Sequence, residues 1–450
     1  MRSHAFAFGM RHPLQATVMY PPARGLFAPH ADTLALPAAL ADGAHLAASD
    51  GRFGLYIHVP FCETKCAFCD YATLIGPRWD EGHRGQYVDT LLAELTIWRA
   101  ALPSNATVSG LDFGGGTPMA LTPAQIGRLL GRVRDLFPVA PGFEVSFETT
   151  PTLAQARPDD LASLAALGVG RISMGVQSLD SAVLRAGARA LHAPDKVHVA
   201  MGALRRAGFG VVNLDLMFAQ LGQDIDSWDS TVRAAIALAP DVITIYDTVY
   251  KRRPIAALGA RSGCLPTVAT YADAYDLAYD ALGQSGYRGA YGTVNFSRVP
   301  GRLGTSRYLE GRILELQPYI GCGLYASTLV GDAWAFRPRH LNAWRAEIEA
   351  GLLPRESCYG LPRPHVLAKS VLLQLSYGFI DVARLRRRFG GELDPSLLET
   401  LDRLVASRLM SRQGDRWTLT AGAFGALPGI RAALMPETAR RWIAEHPSLA

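Results

Sequence analysis

FCETKCAFCD, residues 61–70, holds Cys62, Cys66 and Cys69 with three and then two residues between them. Thiolates are the natural ligands of iron–sulfur clusters, and this tight spacing lets one loop hold three corners of a cubane. Three protein ligands leave the fourth iron open, and an open iron can chelate a small molecule. The stretch therefore predicts a [4Fe-4S] cluster with one exchangeable position.

Two other interpretations of these cysteines stay open from the spacing alone. A zinc ion would need a fourth ligand, and Asp70 or His58 could supply it, although neither follows a zinc-ribbon spacing. Three unligated thiols in one loop are the second alternative. The remaining cysteines, Cys264, Cys322 and Cys358, are interpreted as small packing residues.

The chain around the cysteine loop alternates between strand and helix patterns. Strands are predicted at LYIHV (55–59), VSGLDFGGG (108–116), FEVSFETT (143–150), RISMGVQ (171–177), VVNLDLMF (211–218) and DVITIYDTV (241–249). Helices are predicted between them at 87–102, 122–137, 159–168, 192–208 and 227–239. Strands and helices at this spacing predict βα units around a parallel sheet, and so an α/β fold.

Three less regular regions flank this core. Residues 1–50 predict an irregular arm with one short helix, and 251–360 predict an extension of the 51–250 core with a helix near 269–285. In the last region, 361–450, three helices (366–376, 381–389 and 395–409) precede the strand-like RWTLT (416–420). This pattern predicts a winged-helix-like cap. Its helices are only modestly basic, so a protein-contacting or substrate-covering role is favoured over nucleic-acid binding.

The overall composition is that of a soluble globular protein. Hydrophobic residues make up 49% and charged residues 19% of the 450 residues, and the net charge is +5. Clustering of three of the six cysteines argues against a secreted disulfide framework. With no export signal in the first residues and no apolar run of about 18 residues, we expect a cytoplasmic chain without a membrane span.

A glycine turn follows the second predicted strand. LDFGGGTP (111–118) places Gly114, Gly115 and Gly116, followed by Thr117, at the carboxyl end of that strand. Glycine permits a tight turn with close backbone approach to a ligand, and bare N–H groups there would suit a carboxylate.

Together, the three-cysteine loop and the glycine turn resemble the radical S-adenosylmethionine (SAM) superfamily. There the open iron binds the amino and carboxylate groups of SAM, and one electron cleaves SAM to a 5′-deoxyadenosyl radical. The ordered set YIHVPFC, GGGTP, SFETTP (146–151), RISMGVQS (171–178) and VNLDLMF (212–218) resembles the oxygen-independent coproporphyrinogen III oxidase subfamily. The resemblance covers roughly residues 50–430. It implies a partial (β/α)6 barrel with an N-terminal arm and a C-terminal cap.

The same resemblance implies a set of cofactor residues. Tyr56 would lie near the cluster, Phe68 would shield the cluster and the adenine, and the glycine turn would hold the methionyl moiety. The SAM pocket would also be lined by Glu148, Gln177, Arg189 and Asp215. Carboxylates on successive strands suit ribose hydroxyls or the amino group, although each one singly could be a satisfied polar group of the core.

A second SAM molecule is implied farther along the chain. YIGCGLYASTLVGD (319–332), including Gly331 and Asp332, resembles the glycine-rich segment that helps hold a second SAM in the oxidase. The chain has no flavin or ferredoxin domain of its own, so an external one-electron donor of flavodoxin or ferredoxin type is expected.

The reaction is the least constrained part of the resemblance. Oxidases usually read Cys-Gly-Cys-Asn where this chain has Cys69-Asp70-Tyr71-Ala72. The heme-chaperone branch shares the Cys-Asp-aromatic sequence but generally lacks a long N-terminal arm. It carries a Pro where this chain has MFAQLGQ (217–223), and NFSRVPGRLGTSRYLEG (295–311) keeps only the outline of its Asn-Phe-Ala-Arg-Pro-Gly and His-Asn pattern.

The arm MYPPARGLFAP (19–29) resembles that of oxidases and of their natural-product relatives. These observations favour a class C methyltransferase or cyclopropane-forming enzyme, which moves a methyl or methylene unit from a second SAM to an sp² carbon of a small molecule. The alternatives are the oxidase, a heme chaperone or heme-degrading relative, and a carrier without enzymatic activity. Substrate contacts are expected from Tyr246, Asp247, Tyr250 and Tyr291, for which buried core positions are the alternative.

Overall fold

The computed structural model describes residues 3–13, 20–27, 35–43, 46, 49–250, 265–355, 357–391 and 393–446. Cys264 lies outside the described residues. The strands are β1 Arg52–Val59, β2 Phe61–Cys62, β3 Leu74–Ile75, β4 Thr107–Gly115, β5 Val145–Thr149, β6 Val169–Gln177, β7 Val211–Phe218, β8 Val242–Asp247, β9 Asn295–Ser297, β10 Tyr319–Cys322, β11 Ser327–Val330, β12 Ala333–Phe336, β13 Ser357–Gly360, β14 Phe379–Asp381, β15 Met410–Gln413 and β16 Arg416–Leu419.

The α-helices are α1 His4–Arg11, α2 Ala35–Asp42, α3 Glu81–Ala101, α4 Pro123–Leu136, α5 Pro151–Ala156, α6 Pro158–Ala166, α7 Ser181–Ala186, α8 Pro194–Ala207, α9 Ile225–Ala237, α10 Val268–Gln284, α11 Arg307–Ile313, α12 Leu341–Glu349, α13 Arg363–Leu375, α14 Val382–Phe389, α15 Pro395–Ala406, α16 Leu427–Ala433 and α17 Glu437–Glu445. Among the helices of the described residues, none combines the length and apolarity that a membrane crossing requires.

Six parallel strands form the barrel, in the order β1-β4-β5-β6-β7-β8. The same sheet continues beyond β8 with the antiparallel strand β9. Beyond β1 it continues with the parallel strand β10 and then with the antiparallel strands β11, β12 and β13. The predicted partial (β/α)6 barrel is therefore confirmed. Every βα unit places the carboxyl end of its strand at the same rim, which is where the cysteine loop and the glycine turn lie.

The side chains of β1 point alternately into the apolar core and into the lumen of the barrel. Leu55 and Ile57 are at most 1% exposed and belong to the apolar core. Tyr56 and His58 alternate with them, and successive side chains of a strand point to opposite faces. The lumen-facing side of the barrel is polar on the other strands as well, and this polar face supplies the candidate site.

Helix α11 closes the barrel at the amino ends of β1 and β4. A Cβ atom at Gly54 would lie 2.7 Å from the Tyr308 ring, and one at Gly110 would overlap the Tyr308 backbone nitrogen. The missing side chains let Tyr308 enter the lumen, where its ring stacks on Tyr56 with 5.9 Å between centroids. We call α11 with Tyr308 the barrel plug, and no pattern in the sequence predicted it.

The C-terminal region carries the three predicted helices, α13, α14 and α15, and a small sheet in the order β14-β16-β15. The predicted winged-helix-like part is therefore confirmed. Two further helices, α16 and α17, were not predicted, and α1 of the N-terminal arm packs against α16. The division of the chain at residues 50, 250 and 360 stays a prediction.

Candidate cluster and cofactor site

The cysteine loop begins at the carboxyl end of β1. Cys62 lies in β2, which pairs with β3 and so closes the base of the loop. Cys66 and Cys69 lie within the loop, where the Cys69 amide donates to the Cys66 carbonyl at 3.2 Å. The Ala67 amide donates to the Gly187 carbonyl at 3.0 Å and ties the loop to the end of α7.

Polar groups lie next to each of the three thiols. Arg189 donates through Nη1 to Cys66 Sγ at 3.2 Å, and Lys65 Nζ lies 3.7 Å from Cys69 Sγ. The Thr117 hydroxyl is 3.7 Å from Cys62 Sγ. Two cations and a hydroxyl are the surroundings that stabilise thiolates carrying an anionic cluster.

The thiols must lose protons before they can act as ligands. Burial raises the pKa of Cys62 to about 11 and also raises the pKa of Cys69, so ligation must release protons. Over the described part of the chain, no three His, Cys, Asp or Glu side chains gather closely enough to ligate one ion. Three thiolates with one open position match the ligand set of a cubane, whereas a zinc ion would need a fourth ligand.

The glycine turn passes directly over the end of β1. Gly115 has φ of +108°, and a Cβ atom there would overlap the His58 ring. At Gly116 a Cβ atom would lie 2.7 Å from the Pro60 carbonyl carbon, and at Gly114 it would lie 2.8 Å from Glu148 Oε1. Gly115 is fixed by its positive φ and Gly116 by neighbouring backbone, whereas at Gly114 the nearest atoms belong to the flexible side chain of Glu148.

The prediction of bare N–H groups at this turn is wrong. The Gly115 amide donates to Glu148 Oε2 at 3.3 Å. The amides of Gly116 and Thr117 donate to the carbonyls of Val59 and Phe61, both at 2.8 Å. The N–H groups of the turn therefore hold the loop in place, with Glu148 directly against the turn.

Two carboxylates of the predicted pocket face each other across the lumen. Asp215 accepts hydrogen bonds from Ser173 Oγ at 2.6 Å and from Asn213 Nδ2 at 2.8 Å, and burial raises its pKa. Glu148 is accessible through the lumen, yet its depth in the barrel and the neighbouring Asp215 raise its pKa to about 8. Such a carboxylate suits a hydroxyl or ammonium group of a ligand.

Gln177 and Arg189 meet beside the cysteine loop. Gln177 is a non-glycine residue with φ of +69°, and its buried Oε1 has no hydrogen-bond partner among the described residues. Arg189 Nη2 donates to the Gly175 carbonyl at 2.5 Å while Nη1 reaches Cys66. Left-handed backbone and an unsatisfied buried oxygen together are the features expected of a ligand contact.

The aromatic residues of the pocket fall into two groups. Tyr56 lies beside Gly114, with its hydroxyl 3.5 Å from His58 Nδ1, and Phe68 packs against Ala67 and Tyr250. The structure thus gathers the predicted residues around one rim, and their binding roles stay predictions.

Of the proposed substrate contacts, Tyr246 belongs to the lumen, where burial and nearby Asp215 raise its pKa. Tyr250 and Tyr291 instead donate to the Ala219 carbonyl and to Asp276 Oδ1, at 3.0 and 2.5 Å. These two tyrosines are therefore interpreted as buried core residues and not as substrate contacts. Asp247 is also buried, at 3% exposure.

Two further residues that face the lumen, Asp112 and Arg171, were not predicted from the sequence. Asp112 accepts from Ser306 Oγ at 2.6 Å through Oδ2, while its buried Oδ1 has no hydrogen-bond partner in the part of the chain that the structure describes. Arg171 donates to Ser146 Oγ at 3.0 Å. Asp112 precedes Gly114 by two residues on one strand face, so the period of two along β4 was the available signal.

The segment 319–332, which is predicted to hold a second SAM, extends from the rim with the cysteine loop towards the opposite end of the barrel. Cys322 pairs with Ile57 at the rim that carries the cysteine loop. Gly331 and Asp332 lie in the turn between β11 and β12, at the level of the amino end of β1, because Tyr319 pairs with both Gly54 and Leu329. Gly331 and Asp332 therefore lie near the amino ends of the barrel strands, away from the cysteine loop, and a second SAM held by the segment 319–332 stays a prediction.

Comparison with known proteins defines the family. Residues 56–235 match the family described as the radical SAM superfamily. The heme chaperone HemW of Mycobacterium tuberculosis is 32% identical over 373 residues, which are 82% of this chain and 91% of that protein. The oxygen-independent coproporphyrinogen III oxidase of Synechocystis is 26% identical over 81% of each chain. The solved coproporphyrinogen III oxidase HemN of Escherichia coli superposes with a TM-score of 0.75 at 23% identity, covering 93% and 96% of the two chains.

These relatives overturn the prediction of a class C methyltransferase or cyclopropane-forming enzyme, because the similarity along most of the chain is to coproporphyrinogen oxidases and a heme chaperone. Membership of the superfamily implies a [4Fe-4S] cluster and SAM, for which the cysteine loop and the lumen have the residues. The chain belongs to the radical SAM superfamily and, within it, to the family of the oxygen-independent coproporphyrinogen III oxidases and the heme chaperone HemW.

Proposed function

We propose that this protein is a radical SAM enzyme of the coproporphyrinogen III oxidase type, acting on propionate side chains of a porphyrinogen-like tetrapyrrole. The observation that carries the choice over the chaperone is the N-terminal arm. Tyr20 is 1% exposed, with its hydroxyl 2.6 Å from His365 Nδ1. Lys369 Nζ donates to the Tyr20 carbonyl at 2.7 Å, and Arg24 Nη2 donates to Tyr325 Oη at 2.6 Å.

The arm therefore connects the cap to the segment 319–327 as an integral part of the fold. An arm of this kind is typical of the oxidase branch and generally absent from the chaperone branch. Its contacts support an enclosed site in which a substrate is held away from bulk water.

Different residues of the rim would bind the cluster and SAM. Cys62, Cys66 and Cys69 would ligate the cluster, and Glu148 and Asp215 would accept hydrogen bonds from SAM. When bound, the cluster and SAM together supply a carbon-centred radical that can take a hydrogen atom from a C–H bond. Arg189 would keep its guanidinium on Cys66 Sγ and balance cluster charge. A second SAM near 319–327 is part of this proposal.

The proposed reaction balances as an oxidative decarboxylation. Each propionate loses one hydrogen atom from its β carbon, one electron and carbon dioxide, and a vinyl group remains. The hydrogen atom leaves with the adenosyl group, and the electron requires an external acceptor.

The test uses anaerobically reconstituted protein with dithionite, SAM and coproporphyrinogen III. We expect carbon dioxide, vinyl product and 5′-deoxyadenosine to form together, and Cys66→Ala to form none of them. SAM labelled with deuterium in its methyl group should pass no one-carbon unit to the product. Deoxyadenosine without any change in the tetrapyrrole would rule out the proposed substrate while leaving SAM cleavage intact.

A heme chaperone is the second candidate, and Asp70 and Tyr71 favour it. They match the Cys-Asp-aromatic sequence of that branch, and Tyr71 is 57% exposed beside the cysteine loop. Stoichiometric heme binding followed by transfer to an apo-hemoprotein, without deoxyadenosine formation, would establish this function. The flavodoxin- or ferredoxin-type donor, the cytoplasmic location and the lack of nucleic-acid binding stay predictions.

A further inference from the structure

We infer that Tyr87 and Glu94, both on α3, are positioning residues that hold Gly323 and Leu324 against the strand carrying the cysteine loop. The inference rests on the proposed function only in assigning the segment 319–327 to SAM binding. Neither residue belongs to a motif of the cofactor pocket, and both are completely buried.

Tyr87 joins β1 to the segment through one hydroxyl. Its Oη donates to the His58 carbonyl at 2.8 Å and accepts from the Leu324 amide at 3.0 Å. Gly323 lies at φ +99°, and a Cβ atom there would sit 2.6 Å from Tyr87 Oη and 2.7 Å from the His58 oxygen. The segment can therefore approach β1 this closely only with glycine at 323.

Glu94 holds the adjacent amide from the same helix. Its Oε2 accepts from the Gly323 amide at 2.8 Å and from Trp344 Nε1 at 3.0 Å, and its Oε1 accepts from Arg337 Nε at 2.6 Å. The side chains of Glu94 and Arg337 are both 0% exposed. Arg337 also pairs with Glu347 at 3.0 Å, so one guanidinium is shared by two carboxylates. Glu94 is held in this buried position by the three donors that its oxygens accept.

His58 extends the connection to the cluster. Its Nε2 is hydrogen-bonded to the Ala72 carbonyl at 2.8 Å, at the end of the cysteine loop. Its ring also limits the approach of the glycine turn at Gly115. A displacement of Tyr87 would therefore reach the segment 319–327, the cysteine loop and the glycine turn together.

Tyr87→Phe tests the inference because it keeps the ring and removes both hydrogen bonds. In the apoprotein we expect the Leu324 amide to exchange with deuterium about fivefold faster, the effect of losing one neutral hydrogen bond. In the reconstituted protein we expect fewer SAM molecules retained per cluster, or a KM for SAM raised by a similar factor, at unchanged cluster content. Glu94→Gln should act on the Gly323 amide in the same direction.

The matched control is Tyr287→Phe. Tyr287 is 2% exposed, and its hydroxyl donates to the Pro240 carbonyl at 2.7 Å, away from the segment. The inference is overturned when Tyr87→Phe exchanges and binds SAM as the wild type does, or when Tyr287→Phe produces the same changes. A wild type that binds SAM but leaves tetrapyrroles unchanged would contradict the proposed substrate alone, since exchange and SAM retention are measured without it.

Discussion

Gly115 stands where the glycine turn crosses the end of β1, with φ of +108° and the His58 ring directly in front of its α carbon. Gly115→Ala would add both backbone strain and a steric overlap at one atom. We expect it to lower the free energy of unfolding of the apoprotein by about 2–4 kcal/mol, measured by denaturant titration under reducing conditions.

Gly131→Ala provides the control for the loss of glycine itself. Gly131 lies within α4, and a Cβ atom there would meet no atom of the described residues within 4 Å. Alanine is the better helix former by about 1 kcal/mol, so this variant should be as stable as the wild type or more so. Equal destabilisation by the two substitutions would contradict the steric account of the turn.

Asp112 provides a test of charge inside the lumen. Burial raises its pKa from an ordinary value of 3.8 to about 7, so the folded protein holds the proton more tightly than the unfolded chain. Its contribution to stability is therefore full below pH 4 and is lost as the pH rises to 7. We expect Asp112→Asn to match the wild type near pH 4 and to exceed it by about 1–3 kcal/mol at pH 8 in denaturant titrations of the apoprotein.

An exposed carboxylate should respond in the opposite direction. Asp80 caps α3, and hydrogen bonds from His83 lower its pKa. Its contribution to stability is present above the ordinary pKa of an aspartate and is lost as the pH falls, so Asp80→Asn should be less stable than the wild type at neutral pH.

A stability difference between Asp112→Asn and the wild type that did not grow with pH would show that Asp112 is not held protonated.

Individual site residues were predictable where a motif has fixed spacing, as in the cysteine loop. Asp112 and Arg171 carry no such spacing, and their role depends on which strand face points into the lumen. The donors at the glycine turn were mispredicted for a related reason, because the carbonyls of Val59 and Phe61 that accept its amides belong to another part of the chain.

At the scale of elements, local patterns predicted the six barrel strands because each is bounded by its own turn residues. The predicted helix 159–168 instead belongs to a pair, α5 and α6, which Pro158 separates because proline begins a helix better than it continues one. Helices α16 and α17 and the barrel plug were missed because they depend on partners far away in the sequence. Packing of distant elements leaves little local signature.

The plug formed by α11 makes a prediction of its own. Tyr308 is 3% exposed between Tyr56 and the two glycines of the barrel wall. Tyr308→Ala should open a cavity and lower the free energy of unfolding by about 3–5 kcal/mol. Tyr308→Phe keeps the ring and loses the 3.3 Å contact from Arg312 Nη1, which should cost about 1 kcal/mol. Chemical denaturation of both variants checks this, and an equal cost for Phe and Ala would contradict a packing role.

At the scale of the molecule, the arm and the cap are stabilised by contacts between the first and last parts of the chain. Phe6 of α1 is 2% exposed and packs on Gly429, where a Cβ atom would lie 2.8 Å from its ring. Gly9 approaches the backbone of Pro428 in the same way, closely enough that any side chain would overlap it. Two glycines, one on each helix, therefore set the distance between α1 and α16.

Gly9→Leu should force these two helices apart at a cost of about 1–3 kcal/mol, because the obstacle is backbone and the Ala432 Cβ, which have no alternative rotamer. We expect faster hydrogen exchange in α1 and α16 and unchanged exchange in β1 and β4, since the barrel core does not depend on this contact. Gly283→Leu is the matched control, because Gly283 lies in α10 and none of the atoms that the structure describes comes within 4 Å of an added Cβ atom. If Gly9→Leu left exchange in α1 and α16 unchanged, the arm would have to be held by the contacts of Tyr20 and Arg24 instead of by helix packing.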